Sequence, residues 1–289
     1  MISDFRGKVF DFLCSNSTPD FNRYLRTYEK LSGPKREFFE ISCELVGSAR
    51  ADSMRVAITY LRQKDVLGWL SACGFQIPSV EKLLGGNEKD DCFGIGLADY
   101  PPGAGACRIK LYNNFEGTSY AGRVDHVRQL LTLLNIPEEG FKRDFRTFKR
   151  ADTMSVDWDG RQADIKVYWG PFRPEDFLRG FPEVLFKDEI LCYDILRRED
   201  LLPEAFFMVV RYSSQGRSQR TDLRLRTRKI VPYLKMFDRQ KQASRFFSNL
   251  YRSFPDLRLE FISLQWAPVQ RTQFYFVVGE DHAGRGLEK

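Results

Sequence analysis

The chain has 289 residues, 43% of them hydrophobic and 14% aromatic, and a net charge of +6. That is enough for one large domain or two modest ones with a sizeable core, and it excludes a disordered chain. The charge is lower than a dedicated nucleic-acid binder of this size carries, and it fits an anionic small substrate equally well.

Helical patterns and strand pairs alternate from end to end. A helical span from about Phe5 to Leu31 is interrupted at Ser15–Pro19, a stop followed by a helix start. Strands follow near Phe38–Val46 and Met54–Leu61, then helices over Asp65–Cys73 and Ile77–Leu84, closed by Gly85-Gly86-Asn87. The second strand pair is Phe93–Ala98 and Cys107–Tyr112, followed by helices over Ala121–Leu134 and Pro137–Lys149. The third pair, Met154–Trp158 and Ala163–Trp169, is joined by Asp159-Gly160, a hairpin signal. Arg173–Arg198 reads as helical, with starts marked by Pro174 and Pro182. Strands near Phe206–Tyr212 and Asp222–Arg226 form the fourth pair, with a polar turn at Ser213–Arg220. Arg228–Asn249 is again helical, the last pair is Leu257–Trp266 and Thr272–Val278, and residues 280–289 form a polar, frayed tail to a single domain.

The repeated unit is therefore two helices and two antiparallel strands, about five times over. Sequential hairpins place neighbours side by side, and a closed sheet has no exposed edges. The expectation is an α+β fold: a barrel of about ten antiparallel strands, too wide to fill with a few side chains, inside a ring of helices. An open sheet covered on one face is the alternative.

Side chains alternate faces along a strand. The apolar rows, such as Ile41 and Cys43, Ile109 and Leu111, Ile165 and Val167, and Leu223 and Leu225, face the helices. The opposite rows line a solvent-holding lumen. They comprise Glu40, Ser42 and Glu44; Arg55 and Thr59; Arg108, Lys110 and Tyr112; Asp164, Lys166 and Tyr168; Asp222, Arg224 and Arg226; Gln273 and Tyr275. A concave wall of Lys, Arg and Tyr suits a small polyanion such as a diphosphate. For any one strand, a solvated outer face is the competing explanation.

Several chemistries are absent. His126 and His282 are the only histidines, which removes a His-based triad or multi-histidine metal site. There is no Walker loop and no Gly-x-Ser-x-Gly, and Gly94-Ile95-Gly96 lies mid-strand, where glycine leaves room for a ligand or marks a bend. Asp90-Asp91 does not extend into an aspartate-rich Mg²⁺-diphosphate motif, so any diphosphate must be held mainly by cationic side chains. The six cysteines form no Cys-x-x-Cys pair and read as reduced thiols. Met1–Phe5 carry no basic n-region and no apolar h-region, and no run approaches the roughly 18 apolar residues of a membrane span, so a cytoplasmic protein is expected.

Phe39-Glu40-Ile41-Ser42-Cys43-Glu44, followed fifteen positions after Glu40 by Arg55, begins an ordered set of motifs. It continues with Gly94-Ile95-Gly96-Leu97, Arg108–Tyr112, and Asp164-Ile165-Lys166-Val167-Tyr168 leading into Arg173-Pro174-Glu175-Asp176-Phe177. Over most of the chain this order and spacing resembles the ABBA prenyltransferases, and most closely the cyanobactin-type branch that prenylates ribosomal peptides. The resemblance implies a PT barrel in which Glu40 is the base near the acceptor and Arg55 binds the donor diphosphate. Arg108 or Lys110, Tyr112, Lys166, Tyr168, Arg224, Arg226 and Tyr275 supply the remaining donor contacts; Arg224 and Arg226 stand where relatives carry aromatic or milder polar residues.

The implied donor is dimethylallyl or geranyl diphosphate, with Mg²⁺ optional and no metal ligand assigned. The implied acceptor is a Tyr, Trp or Arg side chain of a cyanobactin-like peptide, acted on by a monomer without nucleic-acid or membrane partners. A free indole or phenol acceptor is the alternative. A third reading is a nucleic-acid or anion-binding module using Arg143, Arg146, Lys149, Arg150, Arg217, Arg220, Arg224, Arg226 and Arg228. The competing explanation of Glu40 and Arg55 is a salt bridge between them, with no catalytic role for Glu40.

Overall fold

The computed structural model describes residues 2–16, 19–31, 39–46, 51–75, 77, 80–85, 93–99, 108–115, 117–159, 162–173, 197, 203–227, 250, 252–254, 258–265 and 271–278. Its centre is a closed antiparallel barrel of ten strands. These are β1 (Phe39–Val46), β2 (Ala51–Leu61), β3 (Phe93–Ala98), β4 (Arg108–Asn113), β5 (Ala151–Trp158), β6 (Ala163–Phe172), β7 (Ala205–Ser213), β8 (Gly216–Thr227), β9 (Arg258–Gln265) and β10 (Arg271–Val278). Each strand pairs with its sequence neighbour, and β1 pairs with β10 from Phe39↔Val278 to Val46↔Arg271. That seam closes the sheet and rules out the open-sheet alternative.

The helices pack against the outward rows. α1 (Ile2–Asn16), α2 (Pro19–Tyr28) and α3 (Gln63–Ala72) lay Val9, Phe10, Leu13, Phe21, Leu25, Tyr28 and Trp69 in one apolar layer with Ile41, Val56, Ile95 and Leu97. Tyr28 meets Phe10 and Trp69 edge-on at 6.3 and 5.6 Å, and its hydroxyl donates to the Ile95 carbonyl, so β3 is tied to the helical layer. α4 (Val80–Leu83) is a single turn. α5 (Tyr120–Leu133) starts at Ser119, whose hydroxyl accepts from the Gly122 N–H at 3.2 Å.

α6 (Glu139–Phe148) turns Phe141 and Phe148 onto Trp169, at 5.8 and 5.6 Å. Its Asp144, also on the inner side, accepts from Tyr212 Oη at 2.8 Å and Arg217 Nε at 2.7 Å. The lysines and arginines of α6 stay on the outer face.

One turn differs from the sequence expectation. The polar segment Ser213–Arg220 is not a loop: β7 and β8 pair continuously up to Ser213↔Gly216, around a two-residue turn at Ser214–Gln215. Ser213 Oγ accepts from the Gln215 N–H and donates to the Gly216 carbonyl, and Gly216 has φ +114°. Hydrophobic alternation fails here because Arg217, Gln219 and Thr221 occupy the outward row, where Arg217 is neutralised by Asp144. The helices expected over 173–198 and 228–249 fall, but for residues 173 and 197, outside the described residues, as does the 280–289 tail. Cys14 and Cys73 are free thiols, and no described helix is long and apolar enough to cross a membrane.

Candidate active site

The register decides which side chains share the lumen. Opposite Glu40 stands Ala57, then Gly96, then Lys110, then Asp157 across β2 to β5. Lys166 lies opposite Ser155 on β5 and Arg211 on β7. Tyr275 lies opposite Ser42 on β1 and Phe261 on β9.

The middle of the lumen is a cationic cluster around one carboxylate. Asp157 Oδ2 accepts from Lys166 Nζ at 2.5 Å and stands 3.7 Å from Lys110 Nζ, while Oδ1 accepts from Ser155 Oγ at 3.1 Å. Burial alone would raise the Asp157 carboxyl, but Lys110, Lys166 and Arg55 together hold it well below the ordinary carboxylate range. Burial lowers both lysines, and Asp157 pulls each of them back up.

Arg220 lies beside this cluster. Its guanidinium is 3.2 Å from Asp222 Oδ1, donates to Tyr275 Oη at 3.1 Å, and acts electrostatically on both lysines. Asp222 also accepts from Ser263 Oγ at 2.5 Å. Arg55 Nη1 donates to Gln273 Oε1 at 3.0 Å; the same oxygen accepts from Tyr275 Oη at 2.7 Å, and Gln273 Nε2 donates to Ser42 Oγ at 3.0 Å. Arg55, Lys110, Lys166 and Arg220 thus converge around two carboxylates, Asp157 and Asp222.

Three phenols surround the cluster. Burial pushes Tyr112, Tyr168 and Tyr275 above the ordinary tyrosine range, so each remains a neutral donor and an aromatic face. Tyr112 owes its position to Gly96. A Cβ there would meet Tyr112 Cε2 at 3.1 Å and Lys110 Cβ at 3.3 Å. The space that glycine opens on β3 is therefore occupied by the Tyr112 ring, not left for a ligand.

Glu40 is half-buried on the lumen wall. Burial, with Asp222 and Glu260 adding to it and Lys110 and Arg220 opposing, pushes its carboxyl up to about 7. The salt bridge to Arg55 is not its setting: β2 places Arg55 opposite Ser42 and Ala57 opposite Glu40, and Arg55 reaches Gln273. A carboxyl that titrates near neutrality beside a cationic cluster and aromatic faces can accept a proton at physiological pH.

The other expected residues separate from this group. Arg108 is at the barrel rim, 31% exposed and 4.0 Å from Asp159, so Lys110 is the basic residue of β4 that reaches the centre. Arg224 points inward but closer to the mouth. It lies 3.3 Å from Glu260 Oε1 and 5.7 Å from the Phe261 ring centroid. The β8 arginine beside the Asp157 cluster is Arg220, four residues earlier on the same face. The side chains of Glu44, Thr59 and Arg226 lie outside the described residues.

Asp157 and Ser155 are not among the sequence candidates, and Arg220 is among them only as a phosphate contact of the nucleic-acid reading. The alternation Met154-Ser155-Val156-Asp157 carries the signal for the first two. Arg220 was assigned to the turn.

No group of three or more His, Cys, Asp or Glu with metal-binding geometry occurs among the described residues. Both central carboxylates are engaged, Asp157 by lysines and Asp222 by Arg220 and Ser263. This donor set does not suit Mg²⁺. The basic residues of the nucleic-acid reading are divided. Arg143 and Arg217 lie outside the barrel on Asp144, while Arg220 and Arg224 face the lumen, so they form no single phosphate-contacting surface.

No family model matches the chain, and no curated protein sequence matches it. Solved structures do. The 5-dimethylallyltryptophan synthase from Streptomyces coelicolor matches with TM-score 0.67 at 15% identity, covering 94% of this chain and 95% of that one. AnaPT from Neosartorya fischeri matches with TM-score 0.62 at 15% identity, covering 96% and 92%. The 6-dimethylallyltryptophan synthase from Micromonospora olivasterospora, in complex with DMASPP and Trp, matches with TM-score 0.58 at 14% identity, covering 83% and 81%. The chain therefore has the ten-stranded barrel fold of the ABBA prenyltransferases.

Proposed function

We propose that this barrel is a prenyltransferase that moves an isoprenoid group from an allylic diphosphate to a small aromatic acceptor of the indole type. The observation that carries the reading is the convergence of Arg55, Lys110, Lys166 and Arg220, ringed by Tyr112, Tyr168 and Tyr275, next to a carboxyl poised near neutrality. This is the alternative acceptor of the sequence reading, taken here ahead of the peptide. Tryptophan-prenylating enzymes share this barrel, which supports the free-indole alternative over the cyanobactin-like peptide.

The chemistry follows from the placement. The C1–O bond of the donor breaks and its electron pair leaves with pyrophosphate. The four cations stabilise that growing negative charge inside a closed wall that limits screening by water. The allylic cation faces the tyrosine rings, which attract positive charge and exclude water. The acceptor's π electrons form the new C–C or N–C bond, and the proton displaced from the acceptor passes to the Glu40 carboxylate. No step needs a metal.

The test is incubation with dimethylallyl or geranyl diphosphate and a panel of tryptophan, cyclic dipeptides, phenols and longer Trp- or Tyr-containing peptides. Mass spectrometry should find one isoprenoid unit added to the free indoles. Addition confined to the longer peptides would return the acceptor to the peptide class. No product from any acceptor, together with no binding of either diphosphate, would overturn the reading.

A further inference from the structure

Lys110 and Lys166 come from strands that do not touch: β4 and β6 are separated by β5. Each carries a long side chain with several rotatable bonds, so neither is held to one point by its own backbone. What brings them together is the inward row of β5. Asp157 stands opposite Lys110 in register, and one of its oxygens, Oδ2, is shared at 2.5 Å from Lys166 Nζ and 3.7 Å from Lys110 Nζ. The other oxygen is fixed by Ser155 at 3.1 Å, so the carboxylate is itself oriented.

We infer that Asp157 is a positioning residue for the donor: it keeps the Lys110 and Lys166 ammonium groups charged and at one level of the lumen, where both can meet the same diphosphate. This rests on the prenyltransferase reading, because it concerns the diphosphate end of that site.

The surroundings make the carboxylate necessary. Facing the two lysines are Arg55 from β2 and Arg220 from β8, both of which disfavour their charge. Tyr112 and Tyr168 border Asp157, and Glu40, Asp222 and Tyr275 lie in the same electrostatic field. Asp164, opposite Asp157 on β6, is taken by Arg211 and is not available to the lysines. Of these groups, Asp157 is the carboxylate in contact with both ammoniums.

The inference opposes the simple Coulomb expectation. Removing a negative charge beside an anion site should tighten anion binding. If Asp157 positions and charges the lysines, removing it should weaken binding instead, and more so as pH rises.

The experiment is calorimetric titration with inorganic pyrophosphate between pH 6 and 9. Wild type should bind, with affinity falling at the alkaline end as the lysines lose protons. Asp157→Asn, folded as judged by circular dichroism, should bind about tenfold or more weakly at pH 8, a change equivalent to about 1.4 kcal/mol. Its alkaline limb should move down by about one pH unit, and Asp157→Glu should recover most of both. If Asp157→Asn does not fold, Lys110→Met/Asp157→Asn is compared with Lys110→Met. The inference expects the double variant to bind more weakly. Equal or tighter binding by Asp157→Asn, or by the double variant relative to Lys110→Met, with an unmoved alkaline limb, overturns it while leaving the diphosphate site standing. Failure of wild type to bind pyrophosphate or either allylic diphosphate overturns the site itself.

Discussion

Replacing Glu40 with Gln separates catalysis from stability in opposite directions. The Glu40 carboxyl ordinarily titrates at 4.5 and is pushed up to about 7 by burial on the lumen wall. The folded state therefore binds this proton more tightly than the unfolded chain. Stability contributed by the protonated form is fully present below about 4.5 and is lost as pH rises toward 7. The difference corresponds to about 3 kcal/mol at about 1.4 kcal/mol per pH unit, and screening by lumen solvent reduces it to about 1–2 kcal/mol. Gln at this position mimics the protonated form at every pH. Urea denaturation of both proteins from pH 4 to pH 8 should give equal midpoints at the acid end. At pH 8 Glu40→Gln should be more resistant by about 0.5 M, with unchanged m. Prenyl transfer by the same variant should fall about 100-fold or more, with the acid limb near pH 7 abolished. A stability difference independent of pH, or one that grows toward low pH, would refute the buried, proton-binding setting of Glu40. Near-normal turnover would refute its role as base.

Lys166→Ala and Arg220→Ala should each raise the donor KM about tenfold or more, whereas Arg108→Ala at the rim should change it less than about threefold; steady-state kinetics with a dimethylallyl donor checks the order. Asp144→Ala leaves half-buried Arg217 and buried Tyr212 without their shared acceptor, and should cost about 3 kcal/mol in chemical denaturation while leaving donor affinity unchanged. Gly96→Val forces the Tyr112 ring off β3 and should lower the turnover number more than it lowers overall stability, read from kcat beside a melting curve; unaltered kcat would show that Tyr112 takes no part.

Much of the barrel is written in alternation. Ile41, Val56, Ile109, Ile165, Leu223 and Phe276 identify the outward rows because the helical layer they meet is apolar. That signal vanishes where an outward residue is polar and satisfied. Arg217 on Asp144 is such a place, and with it went Arg220, the basic residue of β8 that reaches the centre. Lys110, Lys166, Tyr112, Tyr168 and Tyr275 were legible as inward residues. Their mutual arrangement was not, because it depends on register between strands distant in sequence. Asp157 belongs to the same class: on its own strand it is one of two acidic residues, with Asp152, and only pairing with β4 and β6 places it between two lysines. The competing pairing of Glu40 with Arg55 is absent for a similar reason, since two residues of register separate Arg55 from a position opposite Glu40.

The seam between β1 and β10 has a temporal meaning. Gln273 and Ser42 are bonded across 231 residues of sequence, and Tyr275 and Glu40 line the same two strands. Contacts that span so much chain form late, after the cost of closing the intervening loop has been met. Until β10 docks, the sheet is an open trough: Arg55 lacks its glutamine, and water has free access to the place where a cation would form. A chain without that pairing can thus bury most of its helical layer and still lack the closed chamber that the proposed reaction requires.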